Sequence, residues 1–453
     1  MSGSLWAALA LVAVVGGDDA APPAAGLEGR PSAGQVSPLQ ARIDAAPAGA
    51  TLEIQPGTYE GDLFIDKPLH LVGRGRPVLV GSGEGSVVRI RAAGVTLEGF
   101  DVDGRGGGDL GRDTSGIHVA APRAVLRDCR IVRSLFGVYL READGSVVER
   151  CTIEGIRGKD PGEKGSGIHV WNTQGFRLLG NQVTDARDGF YIQSSAHGVV
   201  RGNAARDLRY GLHYMFADDN LFEDNVFENG AAGAALMYSK RIVFRRNRFL
   251  HNRGFASVGL LLKACDRVTA ENNLIADNAR GIFLEGSYDN VFRDNVIAGS
   301  DTAVILYDSC ARNRFHGNSF LANLSPLLLV GRRTDTDFAG NYWSGNPEPD
   351  LDGDGRTDRP YRLVSVFDHF RGNLTAADLM TQGTAALALA AAEESFPVLR
   401  PIPVEDPAPL AAPQAVVPSA TEIRAVRSLP GVLVSVTLVA LALTVLARGR
   451  RKA

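Results

Sequence analysis

His213, Met215 and Met237 are the residues of this chain whose types and spacing hold the most chemistry. The two methionines are 22 residues apart, one period of the repeat that runs through the chain. On successive stacked strands they would lie about 4.8 Å apart. His213 precedes Met215 by two residues, so both side chains leave the same face of a strand, roughly 7 Å apart. One imidazole and two thioethers within reach of a point suit a soft cation such as Cu(I), whereas carboxylates suit Mg²⁺ or Ca²⁺. Methionine also fills apolar surface, so the same face reads alternatively as a protein-docking patch.

A second constellation is Asp350, Asp352, Asp354 and Asp358. With Gly355 they match positions 1, 3, 5, 9 and 6 of a calcium loop, although Tyr361 stands where a bidentate Glu is expected. Hard oxygen donors this close repel one another, which favours a structural Ca²⁺. The alternative is a polar Gly/Asp turn in an end cap.

The elements that position these residues follow from the repeat. Asn181, Asn203, Asn225 and Asn247 recur every 22 residues, and Asn273, Asn295 and Asn318 follow at 26, 22 and 23. Each sits in one phrase, as in LFEDNVF or VFRDNVI. Upstream of each comes an alternating phrase that opens on a small residue, such as Gly167-Ile168-His169-Val170 or Gly211-Leu212-His213-Tyr214. Alternation at period two means strand, and the fixed longer period means stacking, so the chain reads as an all-β parallel β-helix of ~22-residue coils. Asn tolerates the left-handed turn conformation, and its amide can bond copies above and below, so these residues are structural.

Stacking the coils produces columns. Two residues after each small residue come His118, Tyr139, His169, Tyr191, His213, Ala235, Leu261, Phe283 and Ile305. Two positions further on come Ala120, Arg141, Trp171, Gln193, Met215, Met237, Lys263, Glu285 and Tyr307. Both columns point away from the coil interior. His169 and His118 are therefore secondary candidates for the same cation. A stacked His/Tyr column that only adds stability is the bland alternative.

Cys129 and Cys151 occupy the Asn slot of two consecutive coils, which permits either a disulfide or a pair of small interior side chains. Cys265 and Cys310 show no ligand spacing. A formal net charge of −3 gives no electrostatic case for nucleic acid.

Composition divides the chain further. Residues 1–25 hold a short apolar run and read as a signal peptide or signal anchor. Residues 37–372 form the β-helix with its caps, opened by a helix over 37–47. Residues 373–428 are an Ala/Pro-rich linker. Residues 429–447 carry no charge and are long enough for a transmembrane helix, and the basic tail 448–453 places that end in the cytoplasm.

The runs YGLHYMFADDNLFEDNVF, GAALMYSKRIVFRRNRF and NYWSGNPEPDLDGDGRTDRPYR resemble the NosD family of periplasmic maturation proteins of nitrous oxide reductase. The similarity covers about residues 37–370, and its His-Tyr-Met phrase is the most specific part. The resemblance implies a right-handed β-helix outside the cytoplasmic membrane; the C-terminal helix and the Ala/Pro-rich linker depart from a soluble periplasmic subunit and suggest tethering to the transporter's membrane. The resemblance implies an ABC transporter partner with ATPase and membrane subunits, a copper chaperone, and the apo-reductase whose copper–sulfur centre is assembled. It places copper handling, as transient cargo, on His213, Met215 and Met237, with His169 and His118 behind them.

The competing class is a carbohydrate-active lyase, hydrolase or epimerase on the same scaffold. Glycoside hydrolysis needs two carboxylates, and the outward columns hold only Glu285. Asp185 and Asp188, at a turn, could still line a groove. An adhesive surface solenoid is the third reading. The chain has no GxxxxGK[ST] loop, so the expected role is non-catalytic, with ATP hydrolysed by a partner.

Overall fold

The computed structural model describes residues 37–364, 371, 373 and 404–413. The expected signal segment, the apolar stretch 429–447 and the tail 448–453 lie outside the described residues. Among the described residues no helix is long and apolar enough to cross a membrane.

The alternating phrases stack into three long parallel sheets of 13, 13 and 12 strands, the arrangement of a parallel β-helix of the right-handed type. The first sheet runs from Thr51–Ile54 to Asp337–Phe338, and the second from Thr58–Glu60 to Tyr342–Trp343. The third runs from Leu63–Ile65 to Ser325–Val330 and holds the alternating Gly phrases. Inward residues of all three sheets form one continuous core, with Phe222, Phe244, Phe292 and Phe315 fully buried. Several of these rings stack coil on coil, Phe292 on Phe315 at 4.4 Å.

Between coils the Asn side chains form a buried ladder. Each Nδ2 donates to the next Oδ1 from Asn181 through Asn203, Asn225, Asn247, Asn273, Asn295 and Asn318 to Asn341, at 2.8–3.1 Å. The ladder satisfies turn amides that the sheets cannot reach, which is why one polar residue recurs in an apolar interior. Cys151 continues it, its N–H donating to Asn181 Oδ1 at 2.9 Å. Cys129 and Cys151 are free buried thiols, so the interior-ladder reading describes them and a disulfide does not. Interaction between the two neighbouring thiols draws Cys129 down and pushes Cys151 up in pKa.

Both ends of the solenoid are closed. The helix Pro38–Ala45 is capped by Ser37 and lays Leu39 and Ile43 over the first coil. At the other end the sequence reading needs correction. Residues 404–413 were placed in the linker by composition, but they dock onto the last coil. Glu405–Asp406 pairs antiparallel with Tyr361–Arg362. Asp406 is fully buried and accepts from Asn341 Nδ2 at 3.1 Å and Trp343 Nε1 at 3.0 Å. A carboxylate thus ends the amide ladder, because it can only accept.

Candidate functional site

The third sheet keeps the expected register. Met215 pairs with Met237, and Tyr191 pairs with His213. His169 pairs with both Tyr139 and Tyr191, and His118 pairs with Tyr139. The rings stack in alternation, with centroids 5.1 Å apart for His118–Tyr139, 4.4 Å for Tyr139–His169, 4.6 Å for His169–Tyr191 and 4.3 Å for Tyr191–His213.

Two corrections follow. The columns point out of the coil interior but are not an open surface: His169, His213, Met215 and Met237 are all at most 5 % exposed. Over the His-bearing coils the cover is visible. Two excursions, 104–114 and 155–166, leave the second sheet and return before the third, and bring Leu110, Asp113, Lys164 and Ser166 over the column. The histidines, moreover, are not gathered. A tyrosine ring lies between each pair, so His118 and His169 do not join His213 around one cation. Met215 stands two residues along the same strand from His213, and Met237 pairs with Met215 on the next.

His213 is oriented by a residue to which the sequence reading gave no such role. Its Nδ1 is 3.1 Å from Asp188 Oδ2. A carboxylate only accepts, so Nδ1 carries a proton and Nε2 is the ring nitrogen left free of Asp188. That Nε2 is buried and has no hydrogen-bond partner among the described residues. Arg209 clamps the same carboxylate through Nε at 2.9 Å and Nη2 at 2.6 Å. Burial alone would raise the Asp188 pKa, but the bonds from His213 and Arg209 outweigh it and hold the group below the usual carboxylate range. A carboxylate behind an imidazole is the arrangement that fixes a metal-binding histidine. The signal for Asp188 was in its column. Coils above and below carry Phe136, Ser166, Tyr210 and Ala232 at that position, and an acid is out of place there.

A half-open cavity of about 160 Å³ lies against this pair. Its wall includes Asp113, Lys164, His169, Arg187, Asp188, Tyr191, Arg209 and His213. Burial pushes His169 down to about 3 and His118 to about 4, so both are neutral at ordinary pH. Burial pushes Asp113 the other way, up to about 6, with Arg141 partly opposing. Tyr191 Oη reaches from the cavity wall to Met215 Sδ at 3.8 Å.

The residue after each methionine is unusual. Phe216 and Tyr238 have φ of +50° and +54°, a conformation bulky side chains seldom adopt. Their rings stack at 5.1 Å and are about half exposed.

Of the calcium candidates, Asp350, Asp352 and Asp354 bring ligand atoms within 4.8 Å of one another. Asp358 is not part of that group and accepts from Leu351 N–H at 2.7 Å. The clustered carboxylates themselves accept from Gly353, Gly355, Asp354 and Arg356 N–H, which accounts for them as a turn. The carboxylate of the outward columns, Glu285, is 3.4 Å from Lys263 Nζ.

Residues 154–348, which hold His169, Asp188, His213 and both methionines, match a family described as periplasmic copper-binding protein (NosD). A Stutzerimonas stutzeri protein named probable ABC transporter binding protein NosD is 30% identical over 397 residues, 81% of this chain and 90% of its own length. The chain belongs to the NosD family. A Pseudomonas aeruginosa NosD of the same name is 28% identical over 373 residues, 78% of this chain and 86% of the relative. Among solved structures, an alginate lyase aligns with a TM-score of 0.55 at 13% identity, over 67% of this chain and 82% of its own. A Yersinia enterocolitica exopolygalacturonase aligns at 0.53 and 12%, over 66% and 74%. Those two likenesses support the NosD β-helix as a fold and nothing further.

Proposed function

We propose that this NosD protein is an extracytoplasmic accessory subunit that passes Cu(I) toward the copper–sulfur centre of nitrous oxide reductase. It works with the ATPase and membrane subunits of an ABC transporter, takes copper from a chaperone and presents it to the apo-reductase. The chain catalyses no covalent step in this reading. A tether through residues 429–447 would keep it beside the transporter.

One observation carries the reading: Met215 and Met237 pair in register beside a histidine whose Nδ1 is held by Asp188 and whose Nε2 is open. Thioether sulfur and neutral imidazole nitrogen are donors that hold Cu(I) and release it to a stronger thiolate or sulfide site. Burial keeps water from competing. The test is Cu(I) titration of the full chain against a competing chelator, wild type beside the double variant Met215→Ala, Met237→Ala. Tight one-to-one binding that the variant loses supports the carrier role. Equal binding in both removes the methionines from it.

A carbohydrate-active reading has one observation in its favour. Asp113 and Asp188 line one cavity with pKa values driven apart, the pattern of an acid and a carboxylate partner. Asp188 is already engaged by Arg209 and His213, however. Incubation with alginate and polygalacturonate, followed for new reducing ends, checks it; none are expected.

A further inference from the structure

We infer that the cavity between the two excursions and the third sheet is a binding site for a small protonated oxyanion of the hydrogenphosphate type. The inference concerns cavity-wall residues other than the methionine pair and does not depend on the copper reading.

Charge is the first argument. Lys164 and Arg187 line the cavity half-buried, and neither side chain has an ion pair or hydrogen bond among the described residues. Two partly desolvated cations facing one space with no carboxylate paired to either are costly. The other basic residue of the wall, Arg209, is committed to Asp188. An anion that enters is therefore offered two unused positive charges, in a setting where each is screened less than at the surface.

The polar atoms narrow the class. His169 is 5 % exposed, and neither of its ring nitrogens has a hydrogen-bond partner among the described residues. A neutral imidazole needs one acceptor and one donor from its surroundings. Asp113 Oδ2 is likewise buried without a hydrogen bond among the described residues, and forms an ion pair with Arg141 Nη1 at 3.6 Å. The site thus presents acceptors as well as cations. Hydrogenphosphate answers both, because its oxygens accept from Lys164, Arg187 and one His169 nitrogen while its P–O–H donates to the other nitrogen or to Asp113. Sulfate has the same shape and charge but no proton to give. Against it the buried acceptors stay unsatisfied, which is how a polar site rejects an isostere. A volume of about 160 Å³ admits an ion of this size with a few waters and is below the usual range for larger organic ligands.

The experiment is isothermal titration of the purified full chain with inorganic phosphate and, separately, with sulfate near pH 7.5. Saturable one-to-one phosphate binding is expected, weaker by about tenfold or more in Lys164→Met and in Arg187→Met, as when one partner of a desolvated charge pair is removed. Sulfate is expected to bind at least about tenfold more weakly than phosphate. Both substituted positions are partly exposed, and circular dichroism confirms that the variants fold. Absence of saturable phosphate binding, or unchanged affinity in both variants, overturns the site. Equal affinity for sulfate overturns the protonated-ligand assignment. Cu(I) titration of the same two variants separates the readings, since loss of the anion with copper affinity intact leaves the methionine site standing.

Discussion

His213 Nδ1 lies 3.1 Å from Asp188 Oδ2, across one coil step of the solenoid. The two residues are 25 apart in sequence, and neither has a local reason to meet the other. Their contact decides which imidazole nitrogen is open, and so what His213 can do.

Asp188→Asn is therefore expected to weaken Cu(I) binding by about 10–100-fold, the usual cost of removing the group behind a metal-binding histidine. An amide also accepts less strongly from Arg209, so melting temperature falls. Chelator competition and thermal unfolding of the same variant measure both effects.

Acid is expected to destabilise the fold early. His118 and His169 have folded pKa values of about 4 and about 3, below the unfolded value near 6.5. Their stability is fully present above pH 6.5 and is lost as pH falls toward those values, because the unfolded chain takes up the proton first. Each contributes roughly 1.4 kcal/mol per pH unit inside that window. Asp113 works in the opposite direction between about 6 and its unfolded value, since the folded state binds its proton first. The two histidines outnumber it. Urea unfolding at pH 7.5, 6 and 5 should show falling stability, a shallower fall in His118→Gln and a steeper one in Asp113→Asn.

Asn225→Ala is expected to cost about 3 kcal/mol or more, from several buried groups left unpaired at once. Asn225 Nδ2 donates to Val200 O and Asn247 Oδ1, each at 2.8 Å, and its Oδ1 accepts from Asn203 N at 3.0 Å. Chemical denaturation reads the loss. Substitution of the only partly buried Val226 beside it should cost much less.

Asp406→Ala should loosen one end and leave the rest of the solenoid intact. The carboxylate accepts from Gly340 N at 2.9 Å and Asn341 N at 2.8 Å as well as from Trp343. Faster amide exchange is expected across 340–343, with little change near Asn203, because a solenoid couples mainly to its nearest coils. Uniform acceleration along the whole chain would contradict that.

The coil repeat, the inward and outward columns and the pairing of Met215 with Met237 were legible in the sequence, because a stacked solenoid turns sequence period directly into spatial adjacency. The helix 38–45 was legible for a local reason, Ser-Pro at its start. Three things were not. The excursions 104–114 and 155–166 break the period, so nothing in their spacing says that they fold back over His169. Residues 404–413 carry a linker's composition, and their place is set by Asp406 meeting an unfinished amide ladder 65 residues earlier. The roles within the column were hidden as well. Alternation gives the direction of a side chain but not what covers it, so His213 and the methionines read as an outer face and are in fact buried. Sequence by itself determined the scaffold, since a fixed strand period puts each strand in register with its copy one coil away. Tertiary structure decided the site, since Asp188, Arg209, Lys164 and Arg187 acquire meaning only from the non-periodic contacts that close a cavity around them.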